Sequence, residues 1–358
     1  MRMLRRDTRH GRVLMCGHAP ARFQGAQPIS LAIIYRGGGE PSEILEVTDI
    51  GEPPAPAPGQ LQVQVSAFPI HPGDLLAMSA AQTTGAELVA GIEATGVIIQ
   101  VGAGVTGFGQ GMRVTFFPHQ GSWRQIVNVD AAIAVPVPDS VPDEIAAQML
   151  CNPLTALMLR RTAQQHFGVG FDAVVLNNAA ASSVGRLFTG IAEHHRIATI
   201  SVVRSEQRAQ QLRERFPTVP VISTSDPCWV EQVHTAAAGR PIPVVLDPVG
   251  GTMSGDLLPV LCAGGTLIIY GVLAQEPIPL HAATVLGSAL AIRGLTVNRW
   301  LTAVSPEQRA SDVASALLIT TGLPQHFDVA ATYPLDRIAD AVRHVTQPGK
   351  DGTVVVKP

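Results

Sequence analysis

Residues 171–204 read FDAVVLNNAAASSVGRLFTGIAEHHRIATISVVR, and the reading of this stretch decides the fold. Asp172 to Leu176 is a valine-rich apolar run, too short for a helix and suited to a buried parallel strand. Small residues, Ala179 to Ser183, lead through Val184 and Gly185 into a helical pattern from Leu187 to His194. Ile197 to Val203 is then a second β-branched run. Strand, tight turn, helix and strand in this order form the opening βαβ unit of a dinucleotide-binding fold. A helix leaving such a turn points free backbone N–H groups and its positive end at a pyrophosphate.

The glycine fingerprint of the turn is degraded. Where G-x-G-x-x-G is expected the chain has Ala180, Ser182 and Gly185, so only the last glycine is literal. A βαβ unit without a ligand has the same outline, and the turn alone leaves both readings open. The end of the second strand separates them. An NAD site places an acid there, whereas Val203 is followed by Arg204, with Arg208 one turn further on. Arginine suits a 2′-phosphate through charge-assisted hydrogen bonds. The reading is therefore NADPH, with Asn178, Ser182, Ser183, Val184, Gly185, Val203, Arg204 and Arg208 as candidate contacts.

Downstream, helices at Glu206–Phe216 and Cys228–Ala238 alternate with strands at Val219–Ile222, Val244–Asp247 and Thr266–Tyr270. That alternation gives a right-handed, doubly wound parallel sheet. Upstream, Leu31–Tyr35, Ile44–Val47, Leu61–Val65, Val97–Val101 and Arg113–Phe117 read as strands, with a Pro/Gly linker at 51–59. The alternation of apolar residues with Gln62 and Gln64 marks a half-buried strand, and the whole reads as a partly open barrel or stacked sheets. A helix at Leu335–His344 and a strand at Thr353–Val356 return to this first unit. The fold class is α/β, with a β-rich unit from 28–153 and 298–358 and a Rossmann NADPH-binding unit from 154–297.

Composition sets the wider frame. Hydrophobic residues make up 46% of the 358 and charged residues 15%, which suits a globular protein with substantial cores. A net charge of −3 argues against nucleic-acid or anionic-membrane partners. Cys16, Cys151, Cys228 and Cys262 lie far apart with no CxxC pair, so a reducing, cytoplasmic setting is expected. Residues 1–27 hold Arg2, Arg5, Arg6, Arg9, Arg12 and Arg22 against one acid, Asp7. Gly11, Gly17, Pro20 and Gly25 interrupt any amphipathic helix, and a disordered extension is expected rather than a mitochondrial presequence.

Several motifs carry a resemblance. IHPGDLL (70–76), EATGVIIQVGAGVTGFGQGMRV (93–114) and GSWRQIV (121–127) resemble the GroES-like amino-terminal domain of the medium-chain dehydrogenase/reductase superfamily. NPLTAL (152–157), NNAAASSVGR (177–186) and SVVR (201–204) resemble its NADPH-dependent 2-enoyl thioester reductases, with quinone oxidoreductases as close relatives. GGTLIIYG (264–271), RGLTVNRW (293–300) and the tail from Ala331 extend the match to nearly everything beyond the extension. The resemblance implies cofactor contacts at Val249 and Gly250 in the turn DPVGG (247–251), and at Tyr270, Gly271, Val272 and Leu295. It implies that Asn152 and Thr155 bond the nicotinamide carboxamide or the substrate carbonyl, and that His71 and Trp300 line the substrate pocket. Asn152 followed by Pro153 also reads as a helix cap. A homodimer is common in the family.

Two departures matter. Catalytic zinc in the superfamily sits on a Cys, a His beside a Glu, and a second Cys; here those positions are His71, Ile92 beside Glu93, and Cys151. Isoleucine cannot ligate, and residues 102–125 hold no cysteine for a structural zinc, so no metal is expected. The tyrosine that donates a proton in the thioester reductases falls at Gln82, which can hydrogen-bond an oxyanion but cannot act as a phenol does. Hydride addition to an already activated acceptor remains: an enoyl thioester first, a quinone or enone second. The rival of another class is a non-catalytic, NADPH-binding structural or regulatory protein.

Overall fold

A computed structural model of the protein describes residues 29–82, 85–167 and 172–358. The extension 1–27, and with it Cys16, lies outside the described residues, as do Thr83 and Thr84 of the Gln82 loop.

The first unit contains strands β1 (Leu31–Tyr35), β2 (Glu46–Asp49), β3 (Gln60–Ile70), β4 (Leu88–Val89), β5 (Ala94–Val101), β6 (Arg113–Phe116), β7 (Ile126–Asp130) and β8 (Ala134–Pro136). Short helices α1 (Pro41–Ile44), α2 (Pro72–Ser79) and α3 (Asp143–Ala146) interrupt them. The long strand β3 is the hub. Leu61, Val63 and Val65 are buried while Gln64 faces solvent, and β3 pairs antiparallel with both β5 and β7. A Cβ at Gly96 of β5 would lie 2.1 Å from the carbonyl oxygen of Gln64, so only glycine permits this close pairing. The core centres on Phe68 stacked against Trp123, 5.3 Å between ring centroids.

The chain then enters α4 (Cys151–Phe167) and the nucleotide unit. There β9 (Val175–Asn178), α5 (Ser183–His194), β10 (Thr199–Val203), α6 (Glu206–Arg215), β11 (Val221–Ser223) and α7 (Trp229–Ala237) build one half. The other half is β12 (Val244–Asp247), α8 (Gly251–Leu257), β13 (Thr266–Ile269), α9 (Ala282–Gly287) and β14 (Ala291–Gly294). The six strands are parallel in the order β11-β10-β9-β12-β13-β14, so the order reverses between β9 and β12. Ligands of such sheets bind beyond the strand ends at that reversal. Val174, Leu176, Ile200, Val202, Val245 and Leu267 form the core of one face, each worth about 1.5–3 kcal/mol of apolar burial.

Helices α10 (Val297–Ala303) and α11 (Pro306–Gly322) pack on α4, and Arg161 grips the buried Asp312 with both guanidinium nitrogens. Residues 298–322 thus lie against a helix of the nucleotide side, although the sequence division put them in the β-rich unit. The chain returns through β15 (Val329–Pro334), α12 (Ile338–Thr346) and β16 (Thr353–Lys357), and β16 inserts between β15 and β3. Among the described residues no helix is long and apolar enough to cross a membrane.

Charge joins the two units. Arg186 of α5 and Arg215 of α6 meet Asp328, while Arg186 and Arg208 meet Asp351 in the loop before β16. His326 is buried beside this cluster, stacked on Phe216 at 4.9 Å and close against Gly190. Burial, reinforced by Arg215 and Arg186, lowers its pKa from 6.5 to about 4. Because the folded value lies below the unfolded one, the stability contributed by neutral His326 is complete above pH 6.5 and is lost as pH falls through 4. The shift corresponds to about 3 kcal/mol. His326→Phe should therefore flatten the acid side of the stability curve between pH 6.5 and 4; an unchanged slope in denaturant titrations would refute this account.

Candidate active site

The phosphate turn is built without its first two glycines. Asn177 and Asn178 belong to β9 itself rather than to the turn, and Ala179 turns the chain at φ 51°. Ser182 caps α5: its hydroxyl accepts a hydrogen bond from Gly185 N at 3.1 Å, as a good cap does. Gly185 has no substitute, since a Cβ there would lie 2.7–2.9 Å from Ala179 O and the Ala180 backbone. Val184 is partly buried behind it. The Ser183 hydroxyl instead faces Thr353 at 3.1 Å, and Thr353 donates to Gln148 at 2.6 Å. Ser183 therefore joins the two units.

At the end of β10, Val203 is buried and Arg204 is exposed; among the described residues the Arg204 side chain enters no ion pair. Ser205 caps α6 through Arg208 N. The Arg208 guanidinium is already engaged, with Asp351 at 2.5 Å, Gln211 at 2.8 Å and the carbonyl of Gly349. Of the two arginines proposed for a 2′-phosphate, the structure leaves only Arg204 open. At the far strands, Tyr270 is half-buried against the core with its hydroxyl inside the protein, and burial, with Asp247 second, pushes its phenol well above the ordinary value. Gly271 packs against Pro248 O, Val272 is half-exposed, and Leu295 donates its N–H to Ile269.

Between the units lies a cluster of buried titratable groups. Glu93, just before β5, accepts from Leu150 N and Cys151 N, both at 2.9 Å through Oε1. Its Oε2 meets His71 Nε2 at 2.7 Å. Leu154 N bonds Leu150 O, so the Glu93 carboxylate caps the first turn of α4 from another domain. Asn152 consequently lies inside the helix and is not its cap, which corrects the capping reading. Asp74 accepts from His71 N at 2.9 Å and is itself buried, so its pKa rises to about 6, with His71 opposing the shift. Burial disfavours charge on His71, but Cys151 and Glu93 together hold its imidazole well above the usual range; burial pushes the Cys151 thiol up.

The sequence missed Glu93 as the third member of this group. Its signal was present: a lone acid amid the apolar run Gly91-Ile92-Glu93-Ala94. The ligand atoms of His71, Glu93 and Cys151 lie within 4.8 Å of one another, so three potential metal ligands converge. As arranged they do not fit a cation. Both Glu93 oxygens and His71 Nε2 are committed to hydrogen bonds, and the position matching a ligand histidine is Ile92, packed in an apolar cluster.

Asn152 is buried and, among the described residues, makes no side-chain hydrogen bond, leaving two N–H donors for a ligand. Thr155 donates its hydroxyl proton to Cys151 O at 2.7 Å, so it can accept a bond but not donate one to a carbonyl. Trp300 packs in the cluster that holds Cys151 and Leu154, and its buried Nε1 has no hydrogen-bond partner among the described residues. Gln82 is exposed on its loop.

Comparisons agree with this architecture. Residues 57–139 match the alcohol dehydrogenase GroES-like domain, and residues 183–314 match the zinc-binding dehydrogenase family. The human mitochondrial enoyl-acyl-carrier-protein reductase is 29% identical over 304 residues, covering 81% of this chain and 80% of the relative. The Arabidopsis thaliana enzyme of the same name is 27% identical over 281 residues, covering 76% and 74%. A solved structure described as a putative NADPH:quinone reductase from Bacillus thuringiensis superposes with a TM-score of 0.80 at 26% identity, over 93% of this chain and 100% of that one. Escherichia coli quinone oxidoreductase complexed with NADPH gives 0.77 at 22%, over 92% and 100%, and supports the fold.

The cytoplasmic expectation is corrected by these relatives, which are mitochondrial enzymes in plants, mammals and Dictyostelium discoideum. Two matched domains in order and a parallel sheet reversing between β9 and β12 lead to one conclusion: the chain belongs to the medium-chain dehydrogenase/reductase superfamily.

Proposed function

We propose that this NADPH-dependent oxidoreductase reduces the activated double bond of a 2-enoyl thioester, without bound zinc, in the cleft between its two units. The observation that carries the reading is the Glu93 carboxylate, both oxygens of which are already hydrogen-bonded within the protein. With its two oxygens held by two backbone N–H groups and His71, the cluster offers no open carboxylate for a polarising metal ion, so the acceptor must arrive activated. An α,β-unsaturated thioester is activated, because hydride at Cβ leaves a stabilised enolate. The similarity to enoyl-acyl-carrier-protein reductases over about four-fifths of the chain supports this acceptor.

Bound NADPH supplies the hydride. The residues that would hold it are the Ser182-capped turn and Gly185 for the pyrophosphate and Arg204 for the 2′-phosphate. Asn152, with both amide protons free, is the donor for a carbonyl or enolate oxygen, and Trp300 helps to exclude water. Thr155, whose own proton is taken, is left to accept from a carboxamide N–H.

Proton delivery favours a second reading. Tyr35 lies in the barrel core, Tyr270 is half-buried with its hydroxyl inside the protein and its pKa raised, and Tyr333 bonds His344 at 3.1 Å. None replaces the missing phenol at Gln82. A quinone, whose product takes its protons from water, suits such a site. A non-catalytic role would show as NADPH binding with no turnover of either acceptor.

Three outcomes are expected. Arg204→Ala should weaken NADPH by roughly ten- to a hundredfold, the loss of one charge-assisted contact, and leave NADH nearly unchanged. Equal wild-type efficiency with both cofactors would exclude the assignment. Protein purified without chelator should carry substoichiometric zinc by elemental analysis and keep its activity after dialysis against a chelator, whereas one tight zinc per chain would reverse the reading of the Glu93 cluster. Finally, turnover of crotonyl-CoA should be slow beside that of 1,2-naphthoquinone. Gln82→Tyr should raise only the former, by up to the roughly 10²–10⁴-fold of general acid catalysis. Wild-type crotonyl-CoA turnover near an ordinary ~10 s⁻¹ would show that another group is the acid.

A further inference from the structure

The deepest acid of the nucleotide unit is not in the candidate contact set. Asp247 ends β12 at the point where the strand order reverses and is fully buried, yet it accepts four hydrogen bonds. Asn178 Nδ2 donates to Oδ1 at 2.8 Å from the end of β9, across the line of reversal. Val249 N donates to the same oxygen at 2.8 Å, Gly250 N to Oδ2 at 3.3 Å, and the Ser254 hydroxyl of α8 donates to Oδ2 as well. The other side of this turn is also fixed: Leu273 N bonds Pro248 O at 3.2 Å, and Ala274 N bonds Val249 O at 2.8 Å. Gly250 and Gly251 sit at φ 81° and 57°, so the turn needs a conformation that side chains resist. Without the carboxylate, two backbone N–H groups, a serine and an asparagine would lose their common acceptor.

We propose that Asp247 is a positioning residue for the nicotinamide half of the cofactor. It fixes the separation of the β9 and β12 ends and the path of residues 248–251, which together form the floor of the crevice. The proposal rests on the NADPH reading above and divides that site in two. A dinucleotide lies across the reversal with one half on each side. The adenosine half belongs to the β9–β10 side with Arg204, so the other half lies over the ends of β12 and β13, where Asp247 acts. Val249 and Gly250 then contribute through their position; their N–H groups point inward to Asp247. Asn178 likewise acts through its bond to Asp247.

Asp247→Asn keeps the shape but puts an N–H group where only acceptors fit. Its binding of NADPH should weaken at least tenfold, while adenosine 2′,5′-bisphosphate, which lacks the nicotinamide half, should bind within twofold of wild type. Ser254→Ala removes one donor and leaves the other three, and should show the same split at a few-fold. It serves as the test if Asp247→Asn does not fold. The double variant Asn178→Asp/Asp247→Asn restores the cross-strand bond but not the turn contacts; it should recover thermal stability without recovering NADPH affinity. Equal weakening of NADPH and the bisphosphate, or unchanged NADPH binding in both single variants, would overturn the proposal. Failure of the parent reading shows elsewhere, as wild-type protein that binds no NADPH.

Discussion

The Glu93 carboxylate is the constraint on which the rest of the site depends. It stands at the start of β5 in the β-rich unit, caps the first turn of α4, and holds His71 at the head of α2. One side chain thus fixes three elements, two of them 22 and 58 residues away in sequence. The arrangement is fully buried, where an unmet N–H costs about 1–3 kcal/mol. It also determines where Asn152 points, because Asn152 is the second residue of the helix that Glu93 caps.

The sheet was readable from local pattern because its strands are apolar runs separated by helices of ordinary length. The boundaries were less so. The apolar run that reads as a strand ends at Leu176, yet Asn177 and Asn178 complete β9, where Asn177 bonds Gly185 O and Thr189 and Asn178 bonds Asp247. Polar residues at the end of a buried strand are admissible once every donor has a partner, and those partners lie on other elements. The same reason hid the roles of Arg208 and Thr155. The acceptor for Arg208 is 143 residues away, and the hydroxyl of Thr155 is taken by its own helix. Residue type gave the chemistry available at each position, while tertiary packing decided whether it was free to be used.

The degraded glycine fingerprint has a physical counterpart. The two glycines that are absent serve turn conformation and close approach, and here Ala179 takes the left-handed turn while Ser182 supplies the cap. The glycine that survives, Gly185, is the one whose Cβ would collide with backbone. Conformational strain is bearable at about 1–2 kcal/mol and can be offset elsewhere, whereas overlap with a neighbouring main chain cannot.

The insertion of β16 between β15 and β3 bears on how the protein is made. Strand β3 is synthesised early and finds β5 and β7 soon after, but the partner of its residues 68–70 is β16, residues 353–357. The nucleotide sheet, drawn from residues 175–294 without interruption, has all its strands long before. Domains form as units while the chain emerges from the ribosome. The β-rich unit is therefore completed after the nucleotide sheet, and residues 68–70 of β3 lack their strand partner until β16 has emerged.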